Sequence, residues 1–183
     1  MNHLINACTD LLCEVRKKNP LIHNITNYVT VNDCANAVLA IGASPIMADD
    51  AAEVEEIVSI SSALVINIGT LNQRTIASMI MAGKKANEFN IPVVLDPVGA
   101  GASTLRNKTV QEILSQVKID VIRGNLSEIS FLAGFKASTK GADTAKVDEK
   151  NNTVDIAKIV SNRYSCVVGI TGKVDIISDG IRF

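Results

Sequence analysis

Two acidic residues, Asp96 and Glu128, have the spacing in this chain that most favours catalytic chemistry. Asp96 ends a short apolar run at 93–95, and Glu128 follows a second apolar run at 120–123. The carboxyl ends of neighbouring parallel strands meet at one edge of a sheet, where ligands bind. Carboxylates there suit Mg²⁺, which prefers oxygen ligands and bridges the phosphates of a nucleotide. The pair predicts metal-assisted phosphoryl transfer, provided that both acids face one cleft.

Each of these features also has a purely structural interpretation. Asp96 precedes Pro97 and can be a turn residue, and Asn125-x-x-Glu128 has the spacing of a capping box at a helix N-terminus. The loop at 97–103 is rich in glycine and alanine. It can be a tight strand-to-helix turn, or it can bring its backbone close to an anion. Spacing alone leaves these alternatives open.

Four other side chains have weaker signals. Arg123 ends an apolar strand, where it would either hold a phosphate in a bidentate contact or form a surface ion pair. Thr171 ends a later strand, and its hydroxyl can serve a turn or a ligand. Met47 is typical of core packing. His23 has no carboxylate or cysteine beside it in sequence, which favours a hydrogen-bonded structural histidine.

The common phosphate-binding motifs are incomplete. Gly172-Lys173 is followed by valine and has no glycine at position 167, so it fails as a Walker A loop. Gly99-Ala100-Gly101 matches only part of a dinucleotide fingerprint and does not follow the first strand. A Rossmann dehydrogenase is therefore disfavoured.

The elements that would position these residues alternate along the chain. Predicted strands lie at 21–25, 45–48, 63–68, 93–95, 120–123, 165–170 and 174–178. Predicted helices lie at about 4–16, at 30–42 capped by Thr30, after Asp49 and Asp50, at 72–89, after the 97–103 loop, and around 154–159. Residues 136–152 are polar and predict a surface loop. Continuous apolar strands indicate an α/β fold with a mostly parallel sheet and helices on both faces.

Composition excludes several classes of protein. The chain has 183 residues, 47% of them hydrophobic and 20% charged, which is typical of one globular domain. Aromatic residues are 3% and the net charge is −1, so we expect no nucleic-acid partner and no membrane partner. The N-terminus has no signal-peptide pattern. Four cysteines without CxxC spacing predict reduced, mostly buried thiols in a cytoplasmic protein.

The last residues carry separate information. Asp179-Gly180 is a two-residue hairpin turn that follows a predicted strand, and only three residues remain for the second arm. We therefore expect the chain to be the N-terminal portion of a longer protein, with 1–183 forming a single domain that is incomplete at its C-terminus.

Four blocks of sequence belong together as a pattern. They are 24–36 (NITNYVTVNDCAN), 42–47 (GASPIM), 96–101 (DPVGAG) and 123–128 (RGNLSE). Together they resemble the hydroxyethylthiazole kinases, which are thiamine-salvage enzymes of the ribokinase-like superfamily. The resemblance covers nearly the whole chain. Its first block is specific to that family, and the later blocks are shared with other ribokinase-like vitamin kinases.

The resemblance implies ATP- and Mg²⁺-dependent phosphorylation of the hydroxyl of 4-methyl-5-(2-hydroxyethyl)thiazole in thiamine (vitamin B1) biosynthesis. It also implies roles for seven residues: Asn27, Val29 and Met47 against the thiazole, Asp96 and Glu128 at Mg²⁺ and its waters, and Arg123 and Thr171 at the nucleotide. Because family members are trimers with the thiazole site between subunits, the resemblance implies a homotrimer with inter-subunit sites.

The resemblance leaves the catalytic base outside this chain. In the family, a catalytic cysteine and a glycine-rich anion hole follow the strand after the hairpin, beyond Phe183. None of Cys8, Cys13, Cys34 or Cys166 lies in that motif. We expect the chain alone to turn over poorly, since a single oxyanion donor is typically worth ~100-fold or more.

Two alternatives remain open. One is a related vitamin kinase acting on a hydroxymethylpyrimidine or on pyridoxal. The other, from a different functional class, is a non-catalytic nucleotide-binding fragment, which fits a chain that lacks the catalytic segment.

Overall fold

Seven strands and seven helices are present in the computed structural model, which describes residues 2–135 and 148–183, without the side chains of residues 2, 3 and 148–152. The strands are β1 Leu21–Ile25, β2 Ser44–Ile46, β3 Ala63–Asn67, β4 Val93–Asp96, β5 Val121–Asn125, β6 Val167–Thr171 and β7 Ile176–Ser178. The helices are α1 Asn2–Lys18, α2 Val31–Ala40, α3 Val54–Ser59, α4 Gln73–Glu88, α5 Thr104–Gln116, α6 Leu126–Leu132 and α7 Asp148–Tyr164.

The strands form one sheet in the order β2-β1-β3-β4-β5-β6-β7. Every neighbouring pair is parallel except β6 and β7, which are antiparallel. Helices in the crossovers cover both faces of the sheet, as parallel strands require. The predicted α/β fold with a mostly parallel sheet is therefore confirmed.

The core lies between the central strands and the helices packed on them. Its largest buried side chains include Leu64 and Ile66 of β3, Leu95 of β4, Ile122 of β5 and Ile129 of α6. Burying each such side chain stabilises the fold by about 1.5–3 kcal/mol. These strands and α6 carry the predicted acids, so the carboxyl edge is built on the most buried part of the sheet.

Several local expectations are wrong. Asp49 and Asp50 do not open a helix: α3 begins later, at Val54, and both acids pair with Arg74. Thr30 occupies the N-cap position of α2, but its hydroxyl donates to Asn27 Oδ1 instead of capping the helix. The competing partner of Thr30 is local, three residues back in the chain, whereas Arg74 lies 24 residues beyond Asp50.

The predicted surface loop at 136–152 is partly wrong as well. Its last five residues, 148–152, already belong to α7, and residues 136–147 lie outside the part of the chain that the structure describes. The cysteines also differ from expectation, since Cys8 and Cys13 are exposed and only Cys166 is fully buried. Within the described ranges, none of the helices has the length and apolar character needed to cross a membrane.

Candidate active site

A chain of hydrogen bonds runs along the carboxyl edge of the sheet, and we call its four residues the edge network: Asn27, Asn67, Asp96 and Arg123. Asn27 Nδ2 donates to Asn67 Oδ1 at 3.1 Å, and Asn67 Nδ2 donates to Asp96 Oδ2 at 3.1 Å. Arg123 Nη1 donates to the same Oδ2 at 3.3 Å. Asn27 follows β1, Asn67 and Asp96 end β3 and β4, and Arg123 lies in the middle of β5, not at its end as the sequence predicted. These four strands are consecutive in the sheet.

The carboxylate of Asp96 is the centre of this network. Its side chain is only 17% exposed, and burial raises the pKa of its carboxyl above the ordinary value. The Arg123 guanidinium opposes this shift, the nearby Glu128 carboxylate adds to it, and the Asn67 amide opposes it. Both hydrogen bonds fall on Oδ2, so Oδ1 has no hydrogen-bond partner within the described ranges. That oxygen is available to a ligand.

Glu128 lies in the first turn of α6, and its charge helps to raise the pKa of Asp96, so the two carboxylates are near each other, as expected for neighbouring strands β4 and β5. Its Oε2 accepts from the backbone N–H of Asn125 at 2.8 Å, and Asn125 Oδ1 accepts from the N–H of Glu128 at 3.0 Å. The capping-box interpretation is therefore confirmed. Its other oxygen, Oε1, accepts from the N–H of Gly99 at 2.8 Å. The residue is buried, and it ties α6 to the glycine-rich loop that follows β4.

The glycine-rich loop is a tight turn. Gly99 and Gly101 have φ of 73° and 92°, in the left-handed region that favours glycine. The four backbone N–H groups of residues 99–102 all donate to protein acceptors. These acceptors are, in order, Glu128 Oε1, Pro97 O, Asn107 Oδ1 and Gly99 O. The tight-turn interpretation is confirmed, and in this conformation the loop has no free N–H among these residues for an anion.

The three residues expected at the thiazole lie beside the outer strands. Asn27 Oδ1 accepts from the N–H groups of Val29 and Thr30, both at 3.0 Å, so its amide shapes the loop after β1. Val29 is 86% exposed, and Met47 is partly buried just after β2. Because β2 and β1 are parallel neighbours, Asn27 and Met47 lie at the same edge. Within one chain Val29 extends from that edge into solvent.

The two residues expected at the nucleotide lie on β5 and β6. The side chain of Arg123 is 56% exposed and forms an ion pair with Asp96, which is one of the two roles that the sequence left open for it. A Cβ at Gly169 would lie 3.9 Å from Arg123 Cγ, so the arginine stem runs over β6. Thr171 is the strand partner of Asn125, and its hydroxyl donates to Gly124 O at 3.3 Å. Both side chains therefore lie along the same part of the edge.

A family model described as "HK: Hydroxyethylthiazole kinase family" matches residues 12–183. The chain belongs to the hydroxyethylthiazole kinase family.

Curated relatives and a solved structure agree with this membership. The chain is 64% identical to a hydroxyethylthiazole kinase of Ruminiclostridium cellulolyticum over 98% of this chain and 66% of that protein. It is 63% identical to one of Clostridium beijerinckii, over 94% of this chain and 63% of that protein. A structure of the hydroxyethylthiazole kinase protein from Pyrococcus horikoshii OT3 superposes with a TM-score of 0.85 at 41% identity, over 99% of this chain and 65% of that one. This family member thus spans slightly less than two thirds of the length of these relatives.

Two residues of the edge were missed by the sequence reasoning. Asn67 ends β3 before Gly69 and Thr70, and a polar residue at the end of a β-branched run was the available signal. Arg106, on α5, donates to three backbone carbonyls of the loops after β3 and β4. No local pattern marks it, because all of its acceptors lie in other segments.

His23 is a structural residue in this family member, as predicted. It is fully buried on β1, and its Nε2 donates to Ala48 O at 2.7 Å. Its Nδ1 has no hydrogen-bond partner in the described part of the chain. Burial lowers the pKa of the imidazole, with the Ala48 carbonyl and the Glu53 charge opposing that shift. The neutral ring fastens the segment that follows Met47 to the first strand.

Proposed function

We propose that this chain is the larger part of a hydroxyethylthiazole kinase, which transfers the γ-phosphoryl group of ATP to the hydroxyl of 4-methyl-5-(2-hydroxyethyl)thiazole. The observation that carries the proposal is the edge network. It connects Asn27, on the side expected for the thiazole, through Asn67 and Asp96 to Arg123, on the side expected for the nucleotide. The names of the relatives support the same reaction.

The acceptor would bind against Asn27, Val29 and Met47. The amide of Asn27 is committed to its own loop and to Asn67, so it holds the shape of the site, and Val29 and Met47 offer the apolar contacts. Exposure of Val29 favours a site that a second subunit completes, and α2 has no buried residue of its own. We therefore propose a homotrimer whose thiazole sites lie between subunits.

Asp96 and Glu128 fit a Mg²⁺ ion that is held mainly through waters and phosphate oxygens. Such ions commonly use one or two carboxylates together with the phosphates of the substrate. Asp96 Oδ1, which has no hydrogen-bond partner among the described residues, supports this donor set. Both oxygens of Glu128 already accept N–H groups, so its part is better suited to a bound water. The ion would neutralise charge on the transferring phosphate.

Arg123 and Thr171 would bind the nucleotide. A guanidinium has five N–H donors, and the structure records one of them on Asp96. The remaining donors of this exposed side chain can hold phosphate oxygens in a bidentate contact. The Thr171 hydroxyl, which now donates to Gly124 O, retains lone pairs that can accept from the nucleotide. Such contacts position the phosphate donor for in-line transfer.

The proposal extends to the domain and its compartment. Residues 1–183 would form most of one ribokinase-like domain, and a further segment would supply the catalytic cysteine and the anion hole. The share of the relatives that the chain covers supports this proposal. The free thiols of Cys8 and Cys13, both exposed, favour a reducing cytoplasmic compartment.

The decisive experiment compares two proteins. ATP-dependent thiazole phosphorylation is measured for this chain and for the same chain extended by a further ~80 to 100 residues of its relatives, which completes a domain of ordinary size. We expect turnover by the extended protein and little or none by the shorter one. Adding hydroxymethylpyrimidine or pyridoxal as a competitor should not reduce the rate of thiazole phosphorylation by the extended protein.

Calorimetry separates the remaining outcomes. The chain should bind ATP with Mg²⁺, and the extended protein should bind and turn over. Binding without turnover by both proteins would favour a non-catalytic nucleotide-binding module. Preference for the pyrimidine alcohol would identify a related vitamin kinase instead.

A further inference from the structure

Arg106 makes an unusual set of contacts. It lies in the first turn of α5, and its Nη1 donates to Ile68 O at 2.6 Å and to Val98 O at 2.5 Å. Its Nη2 donates to Gly69 O at 2.8 Å. The acceptors belong to two separate segments, the loop after β3 and the loop after β4. One guanidinium therefore holds both loops.

The charge of this guanidinium is directed at carbonyl dipoles. Among the described residues, none of the ion pairs includes Arg106. Hydrogen bonds from a charged donor are shorter and stronger than neutral ones, and the planar fork fixes their directions. Three carbonyls on two loops are thus aimed at one rigid group, which a flexible ammonium could not reproduce.

The two loops carry groups of the proposed site. Gly69 N–H donates to Asn67 Oδ1 at 2.9 Å, and a Cβ at Gly69 would lie 2.9 Å from Asn27 Cβ. The first loop is therefore packed against the residue expected at the thiazole. Val98 lies two residues after Asp96 and is followed by Gly99, which donates to Glu128. The second loop therefore lies beside Asp96 and Glu128, the residues of the proposed Mg²⁺ site.

We propose that Arg106 is a positioning residue that holds the loop after β3 and the loop after β4 as one unit, and so sets the alignment of the acceptor hydroxyl with the phosphate donor. The second half of this statement rests on the proposed kinase function. Alignment matters because displacement of a reacting group by ~1 Å can cost about 100-fold in rate.

The first test uses hydrogen exchange and needs no activity. Arg106→Gln is compared with Arg163→Gln, which removes an arginine contact to a single carbonyl, Leu132 O, at the far end of α6. We expect exchange in peptides 66–72 and 98–103 to rise about tenfold in Arg106→Gln and to stay unchanged in Arg163→Gln. Arg106→Lys should give an intermediate rate. A rise in one loop only, in neither loop, or equally in both variants overturns the proposal.

The second test measures coupling in the active, extended protein. If the acceptor is misaligned, water attacks the γ-phosphorus in place of the thiazole alcohol and gives ADP and inorganic phosphate. The ratio of ADP formed to thiazole phosphate formed is independent of how much protein is folded. We expect this ratio to rise well above one in Arg106→Gln, to rise less in Arg106→Lys, and to stay at one in Arg163→Gln.

The outcomes separate the two proposals. A ratio of one in Arg106→Gln overturns the role of Arg106 in alignment. If the unsubstituted extended protein phosphorylates no thiazole, the kinase proposal fails, and the exchange rates alone then decide whether Arg106 joins the loops.

Discussion

Glu128 accepts a hydrogen bond from the backbone N–H of Gly99, with 2.8 Å between Oε1 and the nitrogen. Its second oxygen accepts from the N–H of Asn125 at the start of α6. One buried carboxylate thus satisfies two backbone donors from different segments. It couples the N-terminus of α6 to the turn that follows Asp96. The Glu128 carboxylate therefore holds the backbone around the proposed Mg²⁺ site in place, in addition to supplying negative charge there.

Substitution of Glu128 by glutamine should destabilise the protein. The amide keeps one accepting oxygen and turns its NH₂ toward the other backbone donor, leaving a buried N–H unpaired. We expect a loss of about 1–3 kcal/mol in the free energy of unfolding, measured by urea denaturation. The matched control Glu112→Gln, on the exposed face of α5, should change it by less than about 0.5 kcal/mol. Equal effects of the two substitutions would show that the link to Gly99 contributes nothing.

Substitution of Asp96 by asparagine should separate stability from activity. Because the pKa of Asp96 is raised in the folded protein, the folded state holds a proton at pH values where the unfolded state has lost it. Stability therefore falls as pH rises through the window above 3.8, and the neutral amide removes that penalty. We expect an unchanged or higher melting temperature at neutral pH, with the kcat/KM of the extended protein lowered by about 100-fold or more. A clear drop in melting temperature would contradict the electrostatic argument.

Substitution of Asn67 by aspartate should break the edge network. The Nδ2 group that donates to Asp96 at 3.1 Å is replaced by an oxygen, which sets two carboxylates against each other. We expect a loss of about 1–3 kcal/mol in unfolding free energy near neutral pH, since a partly buried hydrogen bond becomes a repulsion. The loss should shrink as the pH is lowered and one carboxyl is protonated. Asn162→Asp, which alters an exposed amide bound to Gly180 O, is the control. A pH-independent loss at position 67 would contradict the prediction.

Acid sensitivity of the fold should depend on His23. Its pKa is lowered in the folded state, so the unfolded state binds more protons as pH falls below 6.5. The free energy of unfolding that depends on neutral His23 is therefore fully present above pH 6.5 and is lost as the pH falls below it. The slope is up to about 1.4 kcal/mol per pH unit for one proton. His23→Gln retains a donor for Ala48 O and should flatten this dependence, measured by chemical denaturation across the range. An unchanged slope would place the acid sensitivity elsewhere.

The sequence alone was enough for the fold class and for nearly all of the strands and helices, and it offered the capping box at Asn125 and Glu128 as one of two interpretations, which the structure then confirmed. These features depend on short-range patterns: apolar runs make buried strands, and a cap needs partners only three residues apart. Family membership also followed from contiguous blocks such as 24–36, which the comparison with the family confirms.

Only the tertiary structure decided which residues are hydrogen-bonded to one another along the carboxyl edge of the sheet. Asn27 and Asn67 are 40 residues apart and Asn67 and Asp96 are 29 apart, so no local pattern could pair them. The same holds for Arg106, whose acceptors lie on two loops, and for Asp49, which pairs with Arg74 and not with a helix terminus. Which side chains meet across parallel strands depends on the order of the strands and on the register between them. Both are decided only when the whole sheet has folded.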